Sequence, residues 1–333
     1  MRVLTAALTR RTFLVAVPAL SAVVAKAPQQ RVHLIMAPSN LGLRPLVANQ
    51  QPGAWRAPKA LKAAGLADAI GASRTIQMDR PSYRFDEEAG TRIRNGHAIR
   101  AFSELLGAQV AGVLRSGAFP LVVGGDCSIM LGGLLGGRSI GKIGLLHVDG
   151  HSDFYHPGNY DSEGRLGSAA GMDLALATGR GEPLLAPWNG EALVEDRFVI
   201  QIGEREKLRP DADYGDILRT QVRRFPVRGV LKRGIAETVR GALSPVDGER
   251  RPMWLHIDLD VLDQRVMPAV DSPGSPGLTF SQLADLISGL VGERRVIGAD
   301  IAIFDPELDP RGTYARDIVA CMARGFAGLK AAI

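Results

Sequence analysis

A chain of 333 residues with 46% hydrophobic and 23% charged content is ordinary globular material, long enough to bury a sizeable core. Aromatic residues make up 5%, too few for a platform on which nucleic-acid bases could stack. The formal charge is +5, and setting aside Arg2, Arg10 and Arg11 near the N-terminus lowers it to +2, which removes the electrostatic case for a nucleic-acid or anionic-membrane partner.

Residues 1–27 read as an export signal of the twin-arginine type. They carry Arg10-Arg11, an apolar run interrupted at Pro18, and small residues at Ala25 and Ala27. The run is shorter than the roughly 20 residues that span a bilayer, so no permanent membrane span is expected once the signal is removed. The expected location is periplasmic or extracellular, and residues 30–333 read as one domain. The two cysteines, Cys127 and Cys321, make no disulfide framework. Cys321 lies in an apolar helical stripe and reads as an inert buried thiol.

From residue 32 the pattern alternates between strand-like and helix-like stretches. Strands are predicted over residues 32–36, 119–123, 143–148, 198–202, 253–259 and 296–301. Helices are predicted over residues 57–70, 97–115, 127–135, 168–178, 281–290 and 314–329. Residues 37–56 and 150–167 read as pocket-shaping loops, and residues 204–225 as a surface excursion. Short apolar strands separated by helices imply an α/β fold with a mostly parallel sheet buried on both faces. In such a sheet ligands collect beyond the carboxyl ends of the strands.

Three segments end strand-like runs: Gly124-Gly125-Asp126-Cys127-Ser128, Asp149-Gly150-His151-Ser152-Asp153 and Asp258-Leu259-Asp260. Extended backbone would project Asp149, His151 and Asp153 to one side, and would put His256, Asp258 and Asp260 on one face of their strand. Four carboxylates near one imidazole repel one another in a low-dielectric pocket unless cations hold them together. Oxygen donors with limited nitrogen suit Mn²⁺ or Mg²⁺. A pair of such ions would lower the pKa of a shared water.

In order and spacing, these motifs resemble the ureohydrolases: arginase, agmatinase and formimidoylglutamase. The segment from Ala57-Pro58 to Gly65-Leu66 resembles that family's early helix, and Asp300 through Pro306 its late Asp-x-x-Glu-x-x-Pro segment. The resemblance covers residues 32–330 and implies a three-layer α/β/α fold, arginase-like, with a binuclear manganese centre. Asp149 and Asp258 would bridge two ions, Cys127 and Asp153 would complete the first site, and His151 and Asp260 the second. The implied reaction is attack of a metal-bridging hydroxide, oriented by Asp153, on an amidine or guanidine carbon of a small molecule. Trimers or hexamers are common in the family, and the sequence leaves assembly open.

Three positions depart from the family pattern. Cys127 stands where a histidine is usual; two Mn²⁺ ions remain the expectation, and the softer thiolate opens one ion or Zn²⁺ as the alternative. Ile303 stands where arginase has the acid that grips a guanidinium, and an apolar residue forms no charge-assisted contact. Leu166 falls near the proton-relaying histidine, leaving His156 and His256 as catalytic candidates. Asp305 could replace the missing acid or serve the turn before Pro306, and Asn40 sits in a substrate-facing loop or a plain turn. The expectation is a ureohydrolase-like, metal-dependent hydrolase of a non-peptide C–N bond in a linear amidine or guanidino compound. A catalytically silent binding derivative and a single-zinc amide deacetylase are the alternatives.

Overall fold

The computed structural model describes residues 30–211 and 214–329. The predicted export signal and the last four residues of the predicted domain lie outside the described residues. Among the described residues, no helix is long and apolar enough to cross a membrane.

In chain order the elements are β1 (Val32–Ala37), α1 (Ala57–Ala63), α2 (Leu66–Ile70), β2 (Ala72–Gln77), α3 (Gly96–Arg115), β3 (Phe119–Gly124), α4 (Ile129–Gly137), β4 (Gly144–Val148) and α5 (Asp173–Ala177). There follow β5 (Val199–Ile202), β6 (Arg223–Phe225), α6 (Val227–Arg233), α7 (Ile235–Ala242), β7 (Met253–Asp258), α8 (Phe280–Gly292), β8 (Val296–Ala302) and α9 (Thr313–Gly325). The strands form one parallel sheet in the order β2-β1-β3-β8-β7-β4-β5-β6. Helices α3, α4 and α5 pack together, whereas α1, α2, α9, α8, α7 and α6 form a second run of contacts. The result is a three-layer α/β/α fold. Strands β3, β4, β5 and β7 are buried at every residue, which is why their sequences are apolar on both faces and do not alternate.

Several boundaries moved for local reasons. The helix predicted over residues 57–70 breaks into α1 and α2 because Gly65 takes φ +91°, a left-handed conformation that costs glycine little and ends a helix. The helix predicted over residues 168–178 reduces to a 3-10 turn at Ala169–Gly171 and the short α5. The last predicted helix ends at Gly325 and continues only as a 3-10 turn. The surface-excursion reading of residues 204–225 is corrected: Arg223–Phe225 pairs with β5 and Glu204 is buried. Strands β2 and β6 went unpredicted because polar residues fill them, Ser73, Arg74 and Thr75 in one and Arg223 and Arg224 in the other. Both lie at sheet edges, where burial places the weakest demand on sequence.

Strands β3, β7 and β4 end at the same rim because the sheet is parallel. The three acid-bearing segments therefore leave the sheet side by side, with β8 between the first and second.

Candidate metal centre

Each segment at this rim is fixed by its own backbone. Asp126 is fully buried; its carboxylate accepts from Ser39 Oγ at 2.6 Å and from Ser128 N at 3.0 Å, closing the turn that presents Cys127. Asp149 Oδ1 accepts from His151 N, and Asp258 Oδ1 from Asp260 N, both at 2.6 Å. Asp153 has φ +44°, so the chain turns there and is not extended as the alternating pattern suggested. It nevertheless reaches the same cluster.

The six predicted ligands converge. Cys127 Sγ lies 2.8 Å from Asp258 Oδ2, and His151 Nδ1 lies 2.8 Å from Asp260 Oδ2 and 3.8 Å from Asp149 Oδ1. Donor atoms of Cys127, Asp153 and Asp258 lie within 4.8 Å of one another, as do those of Asp149, His151 and Asp260. Among the described residues Asp149 Oδ2 is buried without a hydrogen-bond partner, with His147 Nε2 3.6 Å away, an expensive condition for a carboxylate unless a cation answers it.

Electrostatics tell the same story. Burial first, then the neighbouring carboxylates, push Asp149, Asp153 and Asp258 well above the usual carboxylate range. Burial and the same acids push the Cys127 thiol up. For His151 burial pulls downward, but the Asp260 carboxylate and its hydrogen bond prevail and raise the imidazole to about 9. Burial acts upward on Asp260, yet His151 and Arg205 hold it below its ordinary value. Negative charge in excess of positive is the demand a divalent ion would meet, and the mixture of carboxylate, imidazole and thiol fits such an ion.

The candidate catalytic histidines fall elsewhere. His156 does not line the cavity; its Nε2 lies 2.7 Å from Asp216 Oδ2, and Asn159 Nδ2 donates to Asp216 Oδ1 at 3.0 Å, so the trio braces the loop after the metal segment. His256 is fully buried beneath the cluster, its Nδ1 hydrogen-bonded to Asp300 Oδ2. Asp305 accepts from Gly53 N at 3.1 Å and from Glu307 N at 2.9 Å and stays out of the cavity, in keeping with a turn role. Asn40 is buried and donates to Pro52 O at 2.9 Å. Cys321 is buried, and its thiol is pushed up to about 12 chiefly by burial.

A cavity of about 300 Å³ opens over the cluster. Its floor includes Cys127, His151, Asp153, Asp258 and Asp260, and Leu166 and Ile303 both line it. Arg44, Arg165, Glu206 and Asp271 bring both signs of charge to its wall. Glu206 accepts from Ser152 N at 2.9 Å and pairs with Tyr214, so the misread stretch after residue 204 supplies part of the site. Nothing in its composition marks it.

His147 and Asp173 went unrecognised, and Asp300 was read only as the start of a family-like segment. His147, Asp173 and Asp300 are fully buried. His147, His256 and Asp300 share one register row on β4, β7 and β8, and Asp173 approaches from α5. An ionisable residue inside an otherwise apolar strand is the signal that could have found His147 and Asp300. Asp173 lay hidden in a stretch read only for its helical period.

The sequence model of the arginase family matches residues 30–325. An arginase of Bacillus caldovelox is 29% identical over 246 residues, covering 73% of this chain and 80% of its own length. An arginase of Emericella nidulans is 29% identical over 282 residues, 78% of this chain and 84% of its own. The solved Bacillus caldovelox arginase structure superimposes with a TM-score of 0.77 at 25% identity, covering 90% of this chain and 98% of that one.

Proposed function

We propose, because this chain belongs to the arginase family, that it is a metal-dependent hydrolase of a non-peptide C–N bond in a linear amidine or guanidino compound. The observation that carries this reading is the convergence of Asp149, His151, Asp153, Asp258 and Asp260 on the floor of one cavity and just beneath it. Cys127, Asp149, Asp153 and Asp258 would hold one divalent ion, and Asp149, His151, Asp258 and Asp260 a second. Such ions, Mn²⁺ by ligand hardness, would supply a water acidic enough to act as nucleophile near neutral pH.

The chain's own residues set the rest. Asp153 stands at the cavity floor, where its carboxylate can hold and orient a water against the substrate carbon. Arg44 and Arg165 offer cationic contacts to an acidic substrate tail, and Glu206 and Asp271 to a basic one. Ile303 and Leu166 give the wall two apolar patches, so the substrate's reacting end is not gripped by an acid at position 303. That argues against a free guanidinium held at that position in the usual way.

The test is a metal count on purified protein followed by a urea and ammonia release screen over guanidino, formimino and related amidines. Bound metal with turnover of at least one compound supports the reading. No metal and no turnover across the panel would end it. Ile303 and Leu166 also favour a second reading, a silent metal- or ligand-binding derivative, whose signature is full metal content with no turnover. Export of the folded protein through residues 1–27 is proposed as well. Fusing those residues to a folded reporter tests it, and a reporter retained in the cytoplasm would argue against it.

A further inference from the structure

The family-type ligand scheme leaves the most deeply buried donors unused. His256 Nδ1 is tied to Asp300, whose other oxygen accepts from Trp254 Nε1. Among the described residues His256 Nε2 then has no hydrogen-bond partner. An imidazole that gives one nitrogen to a carboxylate and leaves the other bare is arranged as a metal ligand is, because the carboxylate fixes the ring and raises its basicity.

Opposite that nitrogen, Asp173 Oδ2 lies 3.7 Å away, also buried and also without a hydrogen-bond partner. Asp173 Oδ1 is occupied, lying 3.3 Å from His147 Nε2. The His147 contact orients the carboxylate and leaves Oδ2 as the free donor. Cys127 completes the set: ligand atoms of Cys127, Asp173 and His256 lie within 4.8 Å of one another. Asp149, whose Oδ2 is likewise unpartnered, forms a further such group with His147 and His256. A buried imidazole nitrogen and carboxylate oxygen 3.7 Å apart form an ion pair while the ring is protonated, and have the spacing of two ligands once a cation takes the proton's place. Tetrahedral zinc with bonds of about 2.0–2.3 Å spaces its ligands roughly 3.3–3.8 Å apart.

We infer that Cys127 Sγ, His256 Nε2 and Asp173 Oδ2 form a cation position on the inward side of the cluster, suited to a borderline ion of the Zn²⁺ class. Sulfur, nitrogen and oxygen together favour such an ion over Mn²⁺. In this arrangement the imidazole missing at position 127 is delivered from β7, and the thiol and His256 serve one ion. The inference takes Cys127 from the first ion of the proposed hydrolytic centre, leaving one outer ion with Asp149, His151, Asp258 and Asp260, and it rests on that reading only for that outer ion.

The experiment reads metal and not turnover. Protein loaded with one equivalent of Zn²⁺ is examined by X-ray absorption at the zinc edge, and protein loaded with Co²⁺ by its thiolate-to-metal charge-transfer band. Expected are sulfur and imidazole on the same zinc and a clear charge-transfer band. At saturating metal, Asp173→Asn should lose one ion per chain and weaken the band, whereas Asp260→Asn should lose the outer ion and leave the band. Sulfur accompanied by oxygen donors alone, or an unchanged ion count and band in Asp173→Asn, would overturn the inference. The absorption measurement uses the wild-type protein, so it decides the matter even if the variant does not fold. An inner zinc present in protein that turns over nothing would leave this site standing and remove the hydrolytic reading.

Discussion

Ile303 holds φ +73° while donating its backbone N–H to Gly125 O at 2.6 Å. A β-branched residue in left-handed backbone is a genuine outlier that costs roughly 1–3 kcal/mol, so the surrounding turn imposes this conformation. The side chain is thereby fixed on the cavity wall. Ile303→Glu should restore a charge-assisted contact worth about 1.5–3 kcal/mol and tighten agmatine binding roughly 10- to 100-fold. Calorimetric titration of the metal-loaded protein checks this, and an unchanged affinity would mean that the wall does not face the guanidinium. Asp300 acts one step further back, since it holds both Trp254 and His256. Asp300→Asn should weaken the inner metal about 10- to 100-fold, read by competition with a chelator while the outer ion's affinity holds.

The elements around the site are held by a few long-range contacts. The close approach of α4 to β7 depends on Gly133, where an added Cβ would fall 2.4 Å from the Trp254 ring. On the far side, β6 contributes Arg224, which is bonded to the buried Glu204; Glu204 in turn accepts from Ser152 Oγ at 2.9 Å. An edge strand thus secures the loop that carries His151 and Asp153. Arg224→Ala leaves the Glu204 carboxylate buried and unpaired, and the expected loss is about 3–5 kcal/mol. Urea unfolding measures it; a loss below 1 kcal/mol would show that water or another residue replaces the guanidinium. Faster proteolysis within residues 150–167 should accompany the change.

For the whole molecule the cluster makes stability depend on metal and pH together. In the metal-free chain Asp149, Asp153 and Asp258 are raised above their ordinary value, and His151 is raised to about 9. The folded state therefore binds more protons than the unfolded one. The carboxyl contribution is complete below about pH 4 and is lost as pH rises through the raised folded values. The His151 contribution is complete below its unfolded value of about 6.5 and is lost as pH rises through about 9. Asp260 is depressed and runs the other way, one group against four. Cation binding needs deprotonated donors and strengthens with pH. The Tm gap between metal-loaded and chelated protein should thus widen from pH 5 to pH 8. Thermal scans at both values test this, and a constant gap would mean that the acids are already ionised without metal.

Six of the eight strands among the described residues were legible in the sequence because burial on both faces forces an apolar composition, and the six candidate ligands were legible because they follow those strands at short, fixed spacings. Gly65 shows the limit of periodicity: one left-handed residue divides a helix whose apolar pattern runs on unbroken. The sequence by itself determined that acids, an imidazole and a thiol would gather at one rim of a parallel sheet. Only the tertiary structure decided that His147, His256 and Asp300 share a row, that Asp173 meets them from a helix, and that Glu206 reaches the cavity. Strand order and helix packing bring together residues far apart in the chain, and a local pattern specifies which face a side chain takes but not which neighbour it meets there.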